Sequence, residues 1–267
     1  MPTDHGEPQA GSGWENSLKM KFVRVPHGSF WMGGGGGQPG DRQVEIGHDF
    51  YLGVHPVTQA EWQAVMGNNP SHFSRHGGGK DKVKQISDED LKHFPVEFVS
   101  WDEIQKFIEQ LNAREKNSGW VHRLPTEAEW EYACRGGAPL SKQECSFHFF
   151  FKNQPTNDLS SREANFDGNY PDGGAGKGPY LERTTRVGSC EPNRLGLFDM
   201  HGNVWEWCTD LWEQERSRVF RGGCWCDHGD GCRASTRNRC QESCRWGLLG
   251  FRLALDRSGS GQQSVNS

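Results

Sequence analysis

Residues 196–207 decide the fold and read Gly196-Leu197-Phe198-Asp199-Met200-His201-Gly202-Asn203-Val204-Trp205-Glu206-Trp207. Gly202 permits a tight turn between two carboxylates, because glycine adopts backbone conformations that other residues avoid. Hard Ca2+ prefers carboxylate and carbonyl oxygens gathered from such a loop. The turn therefore indicates a cation site. The alternative is that Asp199 and Glu206 accept ordinary hydrogen bonds within the loop.

The composition around this stretch predicts a loop-rich body with an aromatic core. Only 33% of the 267 residues are hydrophobic, whereas the chain holds 35 glycines and 11 tryptophans, so long helices are not expected to dominate. The ends lack apolar periodicity, and we expect flexible tails at residues 1–18 and 256–267 around one domain of residues 19–255. The net charge of -5 gives no basic footprint, so nucleic acid is not an expected partner.

No segment reaches the apolar length of a signal peptide core or a membrane span. We therefore expect no membrane span and a cytoplasmic protein, with display through a partner or another export route still open. The nine cysteines are odd in number, and without an export signal reduced thiols are the expected state.

Five of these cysteines crowd into one segment, namely Cys224, Cys226, Cys232, Cys240 and Cys244. Their spacing matches no common tetrahedral zinc module. A disulfide between Cys240 and Cys244 stays open on sequence grounds, so the crowding needs another explanation.

Three helix starts carry the same signature, a hydroxyl residue followed three positions later by a glutamate. The pairs are Thr58 with Glu61, Ser100 with Glu103, and Thr126 with Glu129. Each pair satisfies backbone donors at a helix entrance. Strands are predicted by the alternation at 21–25, by 30–32 after the turn at Gly28, and by the patterns at 219–220 and 250–254.

Several short motifs follow one another in a fixed order along the chain, and together with residues 196–207 they resemble the formylglycine-generating-enzyme (sulfatase-modifying factor) family, a branch of the C-type lectin fold. The motifs are Gly28-Ser29-Phe30-Trp31-Met32-Gly33, Pro56-Val57-Thr58, Pro95-Val96, Val99-Ser100-Trp101, Arg123-Leu124-Pro125-Thr126-Glu127-Ala128-Glu129-Trp130-Glu131, Ala164-Asn165-Phe166, Arg221-Gly222-Gly223 and Gly250-Phe251-Arg252. The resemblance spans roughly residues 20–255.

The resemblance implies an α+β fold of the C-type lectin kind, with much irregular structure and structural calcium. The calcium ligands that it implies are the side chains of Asp199 and Glu206 with the carbonyls of Gly202 and Val204. A second calcium would use Asn165 and Phe166.

Enzymes of this family oxidise a sulfatase cysteine to formylglycine with two cysteines that hold copper, and thiolates suit Cu(I). The family spacing after Arg-Gly-Gly falls here on Asp227 and Cys232, while Cys226 lies one place early. In a strand, Cys226 would point to the opposite side. We therefore expect that this chain has lost the activity. The copper oxidase, with Cys226 and Cys232 as its pair, is the alternative.

The favoured interpretation is a variable protein of a diversity-generating retroelement, in which adenine-directed mutagenesis replaces residues on a lectin-like scaffold. An asparagine AAC codon randomised at its adenines yields most of the unusual residues here. Residues 224–248 are called the surface segment below. Its predicted ligand-binding residues, for a protein or other macromolecular ligand, are Cys224, Cys226, Asp227, His228, Gly229, Asp230, Gly231, Thr236, Cys240, Cys244, Trp246, Gly247 and Leu248.

Such a segment keeps the fold only if its variable side chains face solvent while other residues anchor it. The expected anchors are Trp225, Arg233, Arg237, Leu249 and Phe251.

Overall fold

The computed structural model describes residues 13–137, 141–151, 154–212 and 216–258 and confirms the predicted α+β class. The helices are α1 Gln59–Met66, α2 Lys80–Val83, α3 Asp88–Leu91, α4 Trp101–Arg114 and α5 Glu127–Cys134. The strands are β1 Trp14–Glu15, β2 Lys21–Val25, β3 Gly28–Met32, β4 Arg42–Ile46, β5 Phe50–Gly53, β6 Trp120–Arg123, β7 Phe149–Phe150, β8 Pro155–Thr156, β9 Trp205–Leu211, β10 Ser217–Arg221, β11 Arg237–Gln241, β12 Leu249–Gly250 and β13 Ala254–Arg257. Within these ranges no helix is long and apolar enough to cross a bilayer.

The three longest helices begin at the predicted caps. The hydroxyls of Thr58, Ser100 and Thr126 each accept a hydrogen bond from the backbone amide three residues later, and the glutamate at that position bonds back to the cap amide. These capping boxes satisfy donors that have no partner inside the helix. The capping predictions are confirmed.

A five-stranded antiparallel sheet with the order β1-β2-β5-β13-β6 joins the two ends of the described chain. Trp14 pairs with Phe22 at one edge, and Asp256 pairs with Val121 near the other. The domain therefore extends beyond the predicted boundaries of 19 and 255. Flexible tails were expected at residues 1–18 and 256–267. Of these, residues 1–12 and 259–267 lie outside the described part of the chain.

The strands predicted at 21–25 and 30–32 form as β2 and β3. Both edges of β2 are taken by β1 and β5, and β3 pairs with β4. One strand prediction needs correction. The strand predicted at 250–254 is divided: β12 ends at Gly250 and β13 begins at Ala254. Between them Phe251 enters the core and Arg252 enters a buried ion pair.

The four-stranded sheet β11-β10-β9-β12 carries the region of interest, with β11 at its edge. Its inner face packs on a core that α1 and α4 close from outside. In that core the rings of Trp62 and Phe107 stack at 5.2 Å, and Phe251 meets both edge-on. Large aromatic side chains therefore supply the buried apolar surface of this core in place of long helices, as the composition predicts.

Candidate functional site

The surface segment begins just after β10. Arg221, the last residue of β10, lies at the start of the first loop of the segment, and its side chain binds the end of that loop. Arg221 is fully buried and donates to the carbonyl of Ser235 at 2.9 Å and to that of Ala234 at 2.8 Å. The carboxylates of Glu131 and Glu127 balance its charge. A buried guanidinium whose two terminal nitrogens are bound in this way fixes where the loop leaves the sheet and where it returns.

Main-chain hydrogen bonds hold the surface segment against neighbouring loops over its whole length. They join the Trp225 amide to the Asn203 carbonyl (3.0 Å), the Asp167 amide to the Asp227 carbonyl (2.9 Å), the Gly229 amide to the Tyr170 carbonyl (2.9 Å), the Ala234 amide to the His148 carbonyl (2.8 Å), the Phe98 amide to the Trp246 carbonyl (3.0 Å) and the Trp205 amide to the Leu248 carbonyl (2.8 Å). These bonds do not involve the side chains of the segment. The path of its backbone is therefore set by the frame beneath it.

The predicted anchors make the expected contacts. Trp225 donates through Nε1 to the Gly247 carbonyl at 2.9 Å and meets the Phe73 ring edge-on at 5.2 Å. The guanidinium groups bind carboxylates, Arg233 that of Asp172 at 2.6 and 2.8 Å and Arg237 that of Glu127 at 2.7 Å. Leu249 and Phe251 are fully buried. These five residues attach the segment to the domain.

The structure divides the predicted ligand-binding residues into three groups by exposure. The exposed ones are His228, Asp230 and Trp246. The half-buried ones are Cys226, Asp227, Gly231, Thr236, Cys244, Gly247 and Leu248. The buried ones are Cys224, Gly229 and Cys240.

The expectation of solvent-facing side chains is wrong for the buried group. Cys224 and Cys240 pack into the main core cluster. A Cβ on Gly229 would lie 2.6 Å from the Asp172 amide nitrogen, closer than atoms of this kind can approach. A change at any of the three would disturb the frame.

Exposed aromatic side chains surround the segment. Trp246 is 41% exposed, and beside it Phe98 is 39% exposed with a φ of 65°. On the other side, the exposed Tyr170 stacks on His228 with ring centroids 4.0 Å apart. Sequence reasoning missed Phe98 and Tyr170, because a single aromatic residue in a loop belongs to no hydrophobic period.

The thiols group differently from the expected copper pair. The Cys224 and Cys226 sulfurs lie 3.4 Å apart. Cys232 instead lies fully buried in another hydrophobic cluster, against the backbone of Gly223. Residues 224–227 form a turn rather than a strand, because Asp227 accepts the Cys224 amide at 2.9 Å and donates its own amide to the Cys224 carbonyl.

The electrostatics of the two neighbouring thiols differ. Burial raises the pKa of the Cys224 thiol well above its usual value. The pKa of the Cys226 thiol is lowered, because the Cys224 thiol donates a hydrogen bond that stabilises the Cys226 thiolate. Burial also raises the pKa of Asp227, although this carboxylate accepts the Cys224 amide. The role of Asp227 in this turn is to accept the Cys224 amide.

The two carboxylates expected at the calcium site of the 202–206 turn have protein partners. The Glu206 carboxylate is fully buried and accepts hydrogen bonds from Arg252 at 2.8 and 2.9 Å and from Trp130 Nε1 at 2.7 Å. A cation beside this guanidinium would meet its positive charge. Asp199 accepts the Gly188 amide at 2.7 Å. For Glu206 the alternative, hydrogen bonding within the protein, is the observed arrangement.

The residues expected at the second calcium also have protein partners. The side-chain nitrogen of Asn165 donates to the Arg183 carbonyl at 3.0 Å and to the Asn203 side-chain oxygen at 3.2 Å. Phe166 is fully buried in an apolar cluster. Across the described ranges no group of three or more His, Cys, Asp or Glu side chains could hold a metal ion. Asn165 and Asn203 tie two loops together instead.

Comparisons with known proteins agree with this architecture. The model of the sulfatase-modifying factor enzyme 1-like domain family matches residues 13–257. The chain is 27% identical to the serine/threonine-protein kinase pkn1 of Chlamydia pneumoniae, over 89% of this chain and 38% of the kinase. It is 32% identical to the formylglycine-generating enzyme of Mus musculus, over 75% of this chain and 50% of that enzyme. The chain thus spans half or less of the length of these two relatives.

Among solved structures, Treponema denticola variable protein 1 matches with a TM-score of 0.66 at 24% identity, over 91% of this chain and 98% of that chain. This likeness confirms the predicted C-type lectin fold of the formylglycine-generating-enzyme type. Because the family model covers almost every described residue, this protein belongs to the family of sulfatase-modifying factor enzyme 1-like domains.

Proposed function

We propose that this protein binds a protein or another macromolecular ligand through the surface segment, and that a retroelement diversifies the exposed residues of that segment. One observation carries the proposal: the frame holds the main chain of the segment at six points along its length, while the side chains of His228, Asp230 and Trp246 face solvent. Side chains held in this way can change without moving the backbone. That property is what a variable binding surface requires.

The exposed groups suit contact with a macromolecule. Trp246 and Phe98, joined through their main chains, are both exposed apolar residues, and aromatic side chains often supply much of the binding free energy at interfaces. His228 and Asp230 add polar groups on the first loop. The ligand would therefore meet an aromatic contact on one side of the segment and hydrogen-bonding groups on the other.

The name of the Treponema denticola structure, a variable protein, supports this proposal through the shared fold. The genetic part is tested on the coding DNA. We expect a near-repeat of the codons for 224–248 close to the gene, differing from it only where the repeat has adenine. A genome that lacks such a repeat, or a repeat that differs at all four bases, would contradict diversification.

The binding part is tested with two displayed libraries. One randomises His228, Asp230 and Trp246, and the matched library randomises the buried residues Trp130, Glu206 and Arg252. Both are selected against the same immobilised folded protein, such as lysozyme. We expect folded binders from the first library and loss of folded protein from the second. Failure of the first library to yield folded members would contradict the proposal.

The copper-dependent formylglycine-generating oxidase is the second candidate, because family membership and the nearby thiols favour it. Its expected pair does not fit, since Cys226 contacts Cys224 and Asp227 occupies the family position of the first cysteine. Copper titration with a cysteine-containing sulfatase peptide separates the two candidates. We expect no turnover of the peptide. Oxidation of its cysteine to formylglycine would establish the oxidase instead.

A further inference from the structure

The turn at residues 224–227 brings two thiols together in an arrangement that neither candidate function uses. The sulfurs of Cys224 and Cys226 are 3.4 Å apart. Cys226 is half-buried, whereas Cys224 is fully buried. Of these two residues, Cys226 is therefore the one with surface exposed to solvent.

The other cysteines include a second close pair, Cys240 and Cys244, which a side-chain hydrogen bond joins. All nine are described, and each is a free thiol. Burial raises the pKa of the thiol at Cys134, Cys145, Cys190, Cys208, Cys232 and Cys240. The thiolate is the form that reacts with oxidants, so these cysteines are protected. Cys226 is the cysteine whose pKa is shifted downward, and reaction is expected there first.

We propose that Cys224 and Cys226 form a peroxide-sensitive dithiol, which closes to a disulfide when hydrogen peroxide oxidises Cys226. The Cys226 thiolate attacks one peroxide oxygen, the O–O bond breaks, and hydroxide leaves as Cys226 becomes a sulfenic acid. The Cys224 sulfur then attacks the Cys226 sulfur, the S–S bond forms, and the S–O bond breaks. The departing hydroxide takes the Cys224 proton as water. Two thiols are oxidised, and one peroxide is reduced to two waters.

The position of Trp225 couples this chemistry to the surface segment. Trp225 lies between the two cysteines and holds the segment through the Gly247 carbonyl and the Phe73 ring. A disulfide brings sulfurs to about 2.05 Å, so they must move closer than they stand in the thiol form. That movement displaces the Trp225 backbone. The oxidised protein would therefore hold the segment differently from the reduced one, whichever ligand it binds.

The test is disulfide mapping on the full chain. The reduced protein is treated with hydrogen peroxide, its remaining thiols are alkylated under denaturing conditions, and it is digested with trypsin. Cleavage after Arg221, Arg233 and Arg239 separates the peptide 222–233 from the peptide 240–245, which carries the other close cysteine pair. We expect the peptide 222–233 to lose two hydrogens and to carry one alkyl group, at Cys232.

Three variants establish which sulfurs react. The control Cys232→Ala should still form the disulfide, because Cys232 takes no part. Cys226→Ser should abolish it, and Cys224→Ser should leave a sulfenic acid on Cys226 that dimedone traps. Disulfide mapping of the wild-type protein tests the proposal even if the buried Cys224→Ser variant fails to fold. A disulfide that includes Cys232, or a Cys226 thiol that stays fully alkylatable after peroxide, would overturn the proposal.

Discussion

Two regions of this protein use arginine and carboxylate pairs in opposite ways. In the frame, Arg252 and Glu206 are both fully buried, and each supplies hydrogen bonds that the other needs. In the surface segment, Arg233 binds Asp172 with a third of the arginine side chain exposed. Water screens the second pair and cannot reach the first. Loss of one partner should therefore cost more stability in the frame pair than in the segment pair.

The comparison shows what makes a residue replaceable. The main chain of Trp246 is held by its carbonyl, which accepts the Phe98 amide, and its ring meets Phe220 edge-on at 6.1 Å while 41% of the residue stays exposed. Glu206 is paired through its main chain in β9, and its side chain is in addition bound by Arg252 and Trp130 in the core. Exchange at the first kind of position changes the surface, and exchange at the second removes part of the core. Exchange in the core should therefore have larger effects on stability than exchange on the surface.

The frame side of the comparison is tested by Glu206→Gln. This change keeps the shape but leaves the buried Arg252 without its counter-charge, which destabilises by roughly 3–5 kcal/mol. Denaturant titration measures the free energy of unfolding. The matched control is Glu89→Gln in the exposed pair with Lys92, which should leave the midpoint unchanged. Equal effects of the two changes would remove the distinction between frame and surface pairs.

Glu97 gives the second effect, a dependence of stability on pH. This carboxylate is fully buried and accepts the amides of His72 and Phe73, and burial raises its pKa from 4.5 to about 7. The folded state thus binds a proton that the unfolded state has released. The contribution of Glu97 to the free energy of unfolding is fully present below pH 4.5. It is lost as the pH rises through 7, and the loss amounts to roughly 3 kcal/mol.

Unfolding titrations at several pH values measure the Glu97 effect. The variant Glu97→Gln carries no titrating group at this position, so its stability should change less between pH 5 and pH 8, a window chosen to bracket the pKa of about 7. Parallel pH profiles of the variant and the wild type would show that Glu97 is not the source.

The two tryptophans of the surface segment sharpen the comparison further. Trp225→Ala removes an anchor that packs on Phe73 and bonds to Gly247, and we expect a loss of about 2 kcal/mol, below the range for a fully buried ring. Trp246→Ala removes a ring that is 41% exposed, and we expect a loss of under about 1 kcal/mol. Thermal or denaturant unfolding measures both. A larger loss at Trp246 would reverse the assigned roles.

The smallest expected effect is that of calcium removal. Because the Glu206 carboxylate is held by Arg252 and Trp130, chelation with excess EDTA should leave the melting temperature unchanged. Differential scanning calorimetry with added calcium, and then with EDTA, measures it. A clear rise of the melting temperature with calcium would show a cation site that this pairing does not account for.

Local signals in the sequence predict much of the frame. The three capping boxes confirm helix starts because a cap depends on residues three positions apart. The partner of Glu206 was not predictable in this way, since Arg252 follows it 46 positions later in the chain. Carboxylates beside a glycine turn suggest calcium when the position of Arg252 is not known. The arginine partner of the expected calcium ligand Glu206 therefore depends on long-range information that local sequence does not hold.

The arrangement of the surface segment could be predicted only in part from the sequence. The anchor Arg233 lies in the loop and the anchor Arg237 begins β11, and both bind carboxylates, as expected for charged residues that attach the segment. The burial of Cys224 and Cys240 was not predictable, because an irregular loop has no period that assigns side chains to one face. The contact between Cys224 and Cys226 arises from the same turn.

The most direct test of the central claim is equilibrium unfolding of one triple variant, in which His228, Asp230 and Trp246 are all replaced by serine. These side chains are exposed, and their main-chain positions are held by the frame. We predict a cooperative transition with a free energy of unfolding within about 1 kcal/mol of the wild type. Loss of cooperativity, or a loss as large as that of Glu206→Gln, would contradict the account of a replaceable surface on a fixed frame.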